Sequence, residues 1–387
     1  MALAGAVILQ VIPDLSAGGA ERTTIEIAEA LKAAGAIALV ASAGGRLERE
    51  LGRVGGELIR MPAMGSKNPL KMNANTSELS RLIGARKVSL VHARSRAPAW
   101  CALWAARRMK RPFVTTYHGV YNAKSSLKRL YNSVMARGDA VIANSEFTAA
   151  HVRATYPDAA SRIVAIPRGV DLARFSHGAI PIERKAALVK DWRLDPAAAE
   201  TLILFPGRLT GWKGQRDAID AAALLSGRNL QGWRMIIAGD AQGREAYEGE
   251  LRHMISSSGL DGRVALVGHC DDMPAALALA DIVIAPSREP EAFGRVAAEA
   301  GAMGVPVIGS NLGGQLEVIV SGETGLLTPP GDPVALADAI ADLLARGCEG
   351  RKALGAAAKA RISEKYTSAA LQQATLAVYD RLIGRPA

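Results

Sequence analysis

Cysteine is nearly absent from this chain of 387 residues. Cys101, Cys270 and Cys348 are odd in number, far apart and without metal-ligand spacing. That excludes a disulfide framework and reads as free or buried thiols in a reducing compartment. Aromatic residues make up only 4% against 49% hydrophobic, with small residues abundant, which suits closely packed strands and helices. Long apolar runs are missing as well: none approaches the ~20 residues needed to cross a bilayer. The opening run from Ala6 to Ile12 is short, has no basic stretch before it and leads straight into a Gly-Gly turn. It reads as a first β-strand and not as a signal peptide, so a cytoplasmic protein is expected.

Acidic residues are lacking in one region only. From Leu79 to Gly138 there are 13 basic residues and no acidic one. Residues 1–180 hold 25 Lys/Arg and 12 Asp/Glu, a charge of +13, whereas the remainder holds 22 and 25, a charge of −3. A field so lopsided favours an anionic partner such as phospholipid, an anionic lipid-linked acceptor or nucleic acid; a solvated face kept for solubility is the plainer reading. Aromatics are not interleaved with these cations and no zinc-finger or RNA-binding signature is present, which counts against nucleic acid.

What the chain does have is a strand–helix rhythm. Strand-like runs at 6–12, 37–41, 88–92, 113–117, 140–143 and 163–166 alternate with amphipathic helical patterns such as 23–34, 98–109, 127–136 and 147–155. Short apolar strands between helices imply a parallel sheet covered on both faces. The rhythm lapses over 172–200 and restarts with strands at 201–205, 234–238, 264–267, 281–285, 305–308 and 325–327. The expected fold class is α/β: two doubly wound, Rossmann-like parallel-sheet domains facing a cleft. The first spans 1–175 and the second 201–366, with a linker region at 176–200. The helix at 367–387 either closes the second domain or crosses back onto the first.

Three turns carry chemistry. The first strand leads through Gly18-Gly19 into a helix whose free N-terminal amides suit a phosphate, although tight turns use glycine for steric reasons too. In Pro206-Gly207-Arg208-Leu209-Thr210-Gly211-Trp212-Lys213-Gly214, Arg208 and Lys213 offer a planar fork and a point charge to a diphosphate. They would stabilise charge developing on a departing nucleotide diphosphate. In Glu291-Ala292-Phe293-Gly294-Arg295-Val296-Ala297-Ala298-Glu299, a helix is expected from near Phe293. Glu291 then sits at its mouth for sugar hydroxyls and Glu299 about two turns inside for a ribose, with Gly294, Arg295 and Val296 lending amides to phosphate. An acidic helix start and a solvated Glu would give the same letters.

Together these stretches resemble family 4 of the retaining GT-B glycosyltransferases. Further segments match in order: Thr116-Tyr117-His118-Gly119, Ala143-Asn144-Ser145, Ile166-Pro167-Arg168-Gly169-Val170-Asp171, Asn311-Leu312-Gly313-Gly314-Gln315-Leu316-Glu317 and Gly322-Glu323-Thr324-Gly325. Arg168 departs from the family's usual Asn. The resemblance implies an acceptor on the first domain, a nucleotide-diphosphate sugar on the second and no metal or other cofactor. It implies that Arg208 and Lys213 hold the diphosphate, Glu291 the donor sugar and Glu299 the ribose. Phe293, Gly294, Arg295 and Val296 belong to the same donor stretch. Gly18 and Gly19 would approach the donor, and His118 would stand near the anomeric carbon. Retention is expected by front-face attack, with the leaving phosphate taking the acceptor's proton. Bacterial members often build lipopolysaccharide or other envelope glycans, so the acceptor is expected to be a glycan or lipid-linked and anionic.

On the acceptor side, Arg94 and Arg96 end a first-domain strand and are candidates to read phosphate or carboxylate, alongside His118. Leu127, Leu130, Tyr131 and Val134 fall on one helical face, expected to pack on the sheet, with Lys124, Lys128 and Arg129 turned toward an anionic leaflet. Trp100 and Trp104, four apart, are expected in the core. The loop Gly268-His269-Cys270-Asp271 is where contacts to the base are expected. A sugar-nucleotide epimerase or phosphorylase on the same fold is an alternative, and a basic nucleic-acid-binding protein is one of another class. An NAD-dependent oxidoreductase is disfavoured, because G-x-G-x-x-G spacing is missing and no acidic residue ends the strand at 37–41.

Overall fold

In β1 (Val7–Val11) every residue is buried, with Val7, Leu9 and Val11 in one apolar cluster and Ile8 in another on the opposite face. A strand covered on both sides needs a parallel neighbour reached by a crossover helix, and the rest of the chain supplies these. The structure, a computed structural model, describes residues 3–16, 18–121 and 125–384. It divides into two compact units, residues 1–168 with 368–387, and residues 169–367.

In the first unit β1 is followed by α1 (Gly19–Ala33), β2 (Ile37–Ser42), α2 (Glu48–Arg53), β3 (Glu57–Arg60), α3 (Pro69–Ala85), β4 (Leu90–Ala93) and α4 (Arg96–Arg108). Then come β5 (Phe113–Tyr117), α5 (Ser126–Asn132), β6 (Ala140–Ala143), α6 (Glu146–Thr155) and β7 (Ile163–Ala165). All pairs are parallel in the order β3-β2-β1-β4-β5-β6-β7. The strand β3 escapes sequence reading because its charged ends, Glu57 and Arg60, are exposed on an edge.

The second unit contains α7 (Ile182–Asp191), β8 (Thr201–Pro206), α8 (Gln215–Gly227), β9 (Trp233–Ala238), α9 (Glu245–Ser257), β10 (Val264–Gly268) and α10 (Met273–Leu279). It continues with β11 (Ile282–Ala285), α11 (Arg295–Ala302), β12 (Val307–Ser310), α12 (Gln315–Val318), β13 (Gly325–Thr328), α13 (Pro333–Ala345) and α14 (Gly347–Lys365). Its six strands are also parallel, ordered β10-β9-β8-β11-β12-β13. Residues 176–200 are no bare linker, since they carry α7, whose Arg184 binds Asp272 ahead of α10 at 2.5 Å. The boundary falls at 168/169, seven residues before the end expected for the first domain.

The last helix, α15 (Ser368–Ile383), belongs to the first unit and packs on α1. Its buried residues Leu371, Thr375, Val378, Tyr379 and Leu382 follow a helical stripe, and Gln372 Nε2 donates to Glu26 O at 2.9 Å. Tyr379 OH meets Nδ1 of the wholly buried His92, whose Nε2 pairs with Thr116 Oγ1 at 2.7 Å. Burial, with the Arg94 charge nearby, holds His92 neutral. Among the described residues no helix is long and apolar enough to cross a membrane.

Two apolar expectations fail. Leu127 and Leu130 are 77% and 55% exposed, because the helix tightens into a 3-10 turn at Ser133–Ala136 that buries Val134 but leaves the preceding turn standing off the sheet. Trp104 is 46% exposed, while Trp100 donates its indole N–H to Tyr131 O. Removing the hydroxyl in Tyr379→Phe should leave a buried histidine nitrogen unpaired and cost about 1–3 kcal/mol in urea unfolding. An unchanged midpoint would show that the hydroxyl does not fasten α15.

Candidate functional site

In both sheets the strand order reverses beside the first strand of the unit, between β1 and β4 and between β8 and β11. Loops leaving neighbouring strands in opposite directions open a crevice at their carboxyl ends, where open α/β sheets hold ligands. The turns singled out in the sequence lie at these two reversals.

In the second unit β8 ends at Pro206, and the chain returns through a 3-10 turn, Gly211–Lys213, into α8. The Arg208 side chain is exposed, while its carbonyl accepts from Gln215 Nε2 at 2.9 Å. Lys213 is turned inward. Its Nζ donates to Glu291 Oε1 at 2.7 Å, with side chains only 13% and 10% exposed. The same oxygen accepts from Ser287 Oγ at 2.5 Å and Gln315 Nε2 at 3.4 Å. Gln315 also donates to Ala285 O and accepts from Ser310 N, so it ties the end of β12 to the end of β11. Burial alone would raise the Glu291 carboxyl, but the Lys213 charge and the three hydrogen bonds outweigh it and hold the pKa below its ordinary value. The carboxylate therefore stays charged, with Oε2 left over for another donor.

The helix beyond starts at Arg295, later than the sequence suggests, and Gly294 caps it with φ 89°. That left-handed conformation favours glycine, and a Cβ there would come within 3.1 Å of Gln315. Glu299 consequently sits one turn inside α11, where Arg295 Nη2 binds its Oε1 at 2.7 Å. The Phe293 side chain does not line the site: it is 3% exposed and packs edge-on against Tyr366. Val296 rests on the same core. Of Phe293 only the backbone remains available. Sequence reading passed over the roles of Ser287, four residues ahead of Glu291, and of Gln315, although the latter lies in a quoted motif. It also missed Asp217, whose buried carboxylate takes both Arg288 Nε and Nη2 and braces the Ser287 turn against α8. In the Gly268–Asp271 loop, His269 is half exposed and pairs with Asp271 at 3.1 Å.

In the first unit Gly18 caps α1 with φ 145°. Gly19 is crowded for a different reason: a Cβ there would fall 1.6 Å from Arg168 Nη1. Arg94 is 2% exposed and donates twice to the buried Gln10 side chain, at 2.9 and 2.6 Å, which explains a glutamine inside an otherwise apolar strand. Together with His118 and Arg168, Arg94 lines a small cavity that Leu371 and Thr375 of α15 also line. Arg96 stands apart, bonded to Asn132 at 2.9 Å with its guanidinium 4.3 Å from the Tyr121 ring centroid. The acceptor candidates are thus split: Arg94 and His118 share a cavity, and Arg96 is engaged elsewhere. Lys124 lies outside the described residues.

The Lys213–Glu291 pair gives a pH-dependent expectation. The folded-state pKa of Glu291 lies below the ordinary 4.5, so the pair stabilises above that value and its contribution fades as pH falls. In Lys213→Met, burial acts against an unpaired carboxylate, costing about 3 kcal/mol at pH 7. The difference from wild type should shrink toward pH 4 as the carboxyl takes up a proton. Urea unfolding at both pH values measures it, and an equal loss at each would mean the pair carries no net charge coupling.

Two family models match in tandem: "Glycosyltransferase Family 4" over residues 17–174 and "Glycosyl transferases group 1" over 190–361. A D-inositol 3-phosphate glycosyltransferase of Jonesia denitrificans is 31% identical over 302 residues, 72% of this chain and 68% of that protein. The lipopolysaccharide core biosynthesis mannosyltransferase LpsB of Rhizobium meliloti is 34% identical over 257 residues, 65% and 68% of the two chains. A glycosyltransferase from Rickettsia africae superposes with TM-score 0.90 at 32% identity, covering 99% of this chain and 100% of that one. HepE from Anabaena, solved with UDP-glucose, gives 0.82 at 25% identity over 97% and 100%. With this sequence likeness and two parallel-sheet units of seven and six strands, the chain belongs to glycosyltransferase family 4 and has the GT-B fold.

Proposed function

We propose that this glycosyltransferase moves a hexose-type sugar from a nucleotide-diphosphate donor with retention and without a metal ion. The observation that carries this is the tethered Glu291 carboxylate. Three donors converge on Oε1, which fixes the group in place and leaves Oε2 to accept from sugar hydroxyls. With Glu291 given to the sugar hydroxyls, attack from the face the diphosphate leaves is the route we propose. Lys213 has two further N–H donors, and with Arg208 and the first amides of α11 it would take up charge on the departing diphosphate. Glu299, one turn further in, would receive the ribose hydroxyls through the oxygen that Arg295 does not occupy. UDP-glucose in the HepE structure supports a nucleotide sugar here.

Thermal unfolding with a panel of nucleotide diphosphates and their sugars, in EDTA, tests the donor site. A matched nucleotide at ~100-fold its Kd stabilises by about 2.7 kcal/mol, a rise of several degrees, and Arg208→Ala should abolish most of it. A shift that vanishes in EDTA would overturn metal independence. Shifts with NAD or DNA alone would overturn the donor assignment.

The acceptor we assign is a glycan or lipid-linked anion of the bacterial envelope, reached at the cytoplasmic membrane face. LpsB supports lipopolysaccharide as its class, and the first unit supplies the matching surface. Exposed Leu127 and Leu130 flank Lys128 and Arg129, and a neighbouring pocket of about 250 Å³ is lined by Arg129, Arg137 and Arg162 against a single acid, Asp158. Each cation near an anionic leaflet contributes roughly 1 kcal/mol. Vesicles containing phosphatidylglycerol should therefore sediment the protein at low salt, with less bound for Leu127→Ser/Leu130→Ser and at high salt. Equal binding to neutral vesicles, or none, would remove the membrane from this reading.

A further inference from the structure

The two nitrogens of His118 are in different situations. Nδ1 lies 3.1 Å from Nη2 of Arg168. A guanidinium has donors and no acceptor, so Nδ1 must accept, and it holds no proton while the contact lasts. Nε2 is buried and has no hydrogen-bond partner among the described residues. Arg168 is itself fixed from two sides. With the Asn144 amide assigned the orientation that satisfies its neighbours, its carbonyl accepts from Arg168 Nε at 3.2 Å and its nitrogen faces Tyr117 O and Thr148 Oγ1. Arg168 Nη1 fills the space over Gly19 where any Cβ would fall.

We infer that Arg168 is a positioning residue that locks His118 as the Nε2–H tautomer, so that the ring meets the donor sugar as a neutral hydrogen-bond donor. This rests on the proposed sugar transfer and on the family resemblance, which implies that His118 stands near the anomeric carbon. The opposite tautomer would set Nδ1–H against Arg168 N–H, two donors in contact, and would leave Nε2 as a base. An imidazolium is disfavoured too. Burial first, then the Arg168 and Arg94 charges, hold the ring well below its ordinary pKa. The remaining polar side chains of the cavity, Thr23, Thr116, Asn144 and Thr375, are uncharged, and His92 behind Thr116 is neutral. Gly19 then has a second reason to be glycine: it makes room for the guanidinium that orients the histidine.

Long-range 15N–1H correlation spectra of the whole chain labelled at its six histidines read the tautomer without donor or turnover, so the outcome is independent of the transferase reading. The His118 signals are assigned by their loss in His118→Gln. At pH 7 the wild type should show an unprotonated Nδ1 and a protonated Nε2, unchanged as pH falls through the ordinary histidine range. In Arg168→Met the ring should average between tautomers and titrate closer to the usual ~6.5. Gly19→Ala, which displaces the guanidinium, should give the same spectrum, and Arg168→Lys should partly restore the wild-type one. In turnover, Arg168→Met should lower kcat about tenfold, less than outright loss of a positioned donor, and add an acid limb that the wild type lacks. A protonated Nδ1 in the wild type, an imidazolium at pH 7, or identical spectra for wild type and Arg168→Met would each overturn the assignment. The wild-type spectrum alone decides the tautomer if the variants fold poorly.

Discussion

Both sheets are wholly parallel, and that constraint governs most of what the molecule can do. Parallel strands need helices on both faces, so the faces are filled with Val, Ile, Leu and Ala and carry no chemistry. Function is left to the carboxyl edge, and there to the two places where strand order reverses. Gly18 and Gly19 after β1 and Arg94 after β4 share one reversal; Arg208 after β8 and Ser287 after β11 share the other. Each reversal therefore supplies cations, glycines and a helix start from turns far apart in sequence.

Buried polarity follows from the same geometry. A strand end that must present a charged group carries polar atoms into the core, and each needs a partner. Gln10 in β1 accepts from Arg94, and its amide donates to Thr24 O. His92 in β4 is satisfied by Thr116 in β5 and by Tyr379 in α15. The last helix thus completes a hydrogen-bonded layer under the first unit's site as well as an apolar one.

Much of this was legible in the sequence because strands, helices and glycine turns obey local rules. The alternation of apolar runs located twelve of the thirteen strands among the described residues, and the ordered turns gave the family. What stayed hidden depends on neighbours. The edge strand β3 lacks the apolar signature because half of it faces water. The face bearing Leu127 and Leu130 looked like a packing face, since spacing does not record the 3-10 turn that lifts it away. Phe293 sits inside a donor motif yet points into the core, and Arg96 carries the right charge but is held by Asn132 and Tyr121.

The two units solve one problem in the same way with different chemistry. A side chain on a turn is too loose to act unless something outside that turn holds it. Glu291 after β11 is gripped by Lys213 from the turn after β8 and by Gln315, the first residue of α12, beyond β12. His118 after β5 is gripped by Arg168 from the turn after β7, which is steadied by Asn144 from the turn after β6. In each case the gripping residue also fixes an electronic state, ionised for the glutamate and a single tautomer for the histidine. The first unit's Arg168, where the resembling family usually has Asn, is accommodated by its neighbours. A longer, charged side chain needs a residue without Cβ at position 19 and a carbonyl at position 144, and both are present.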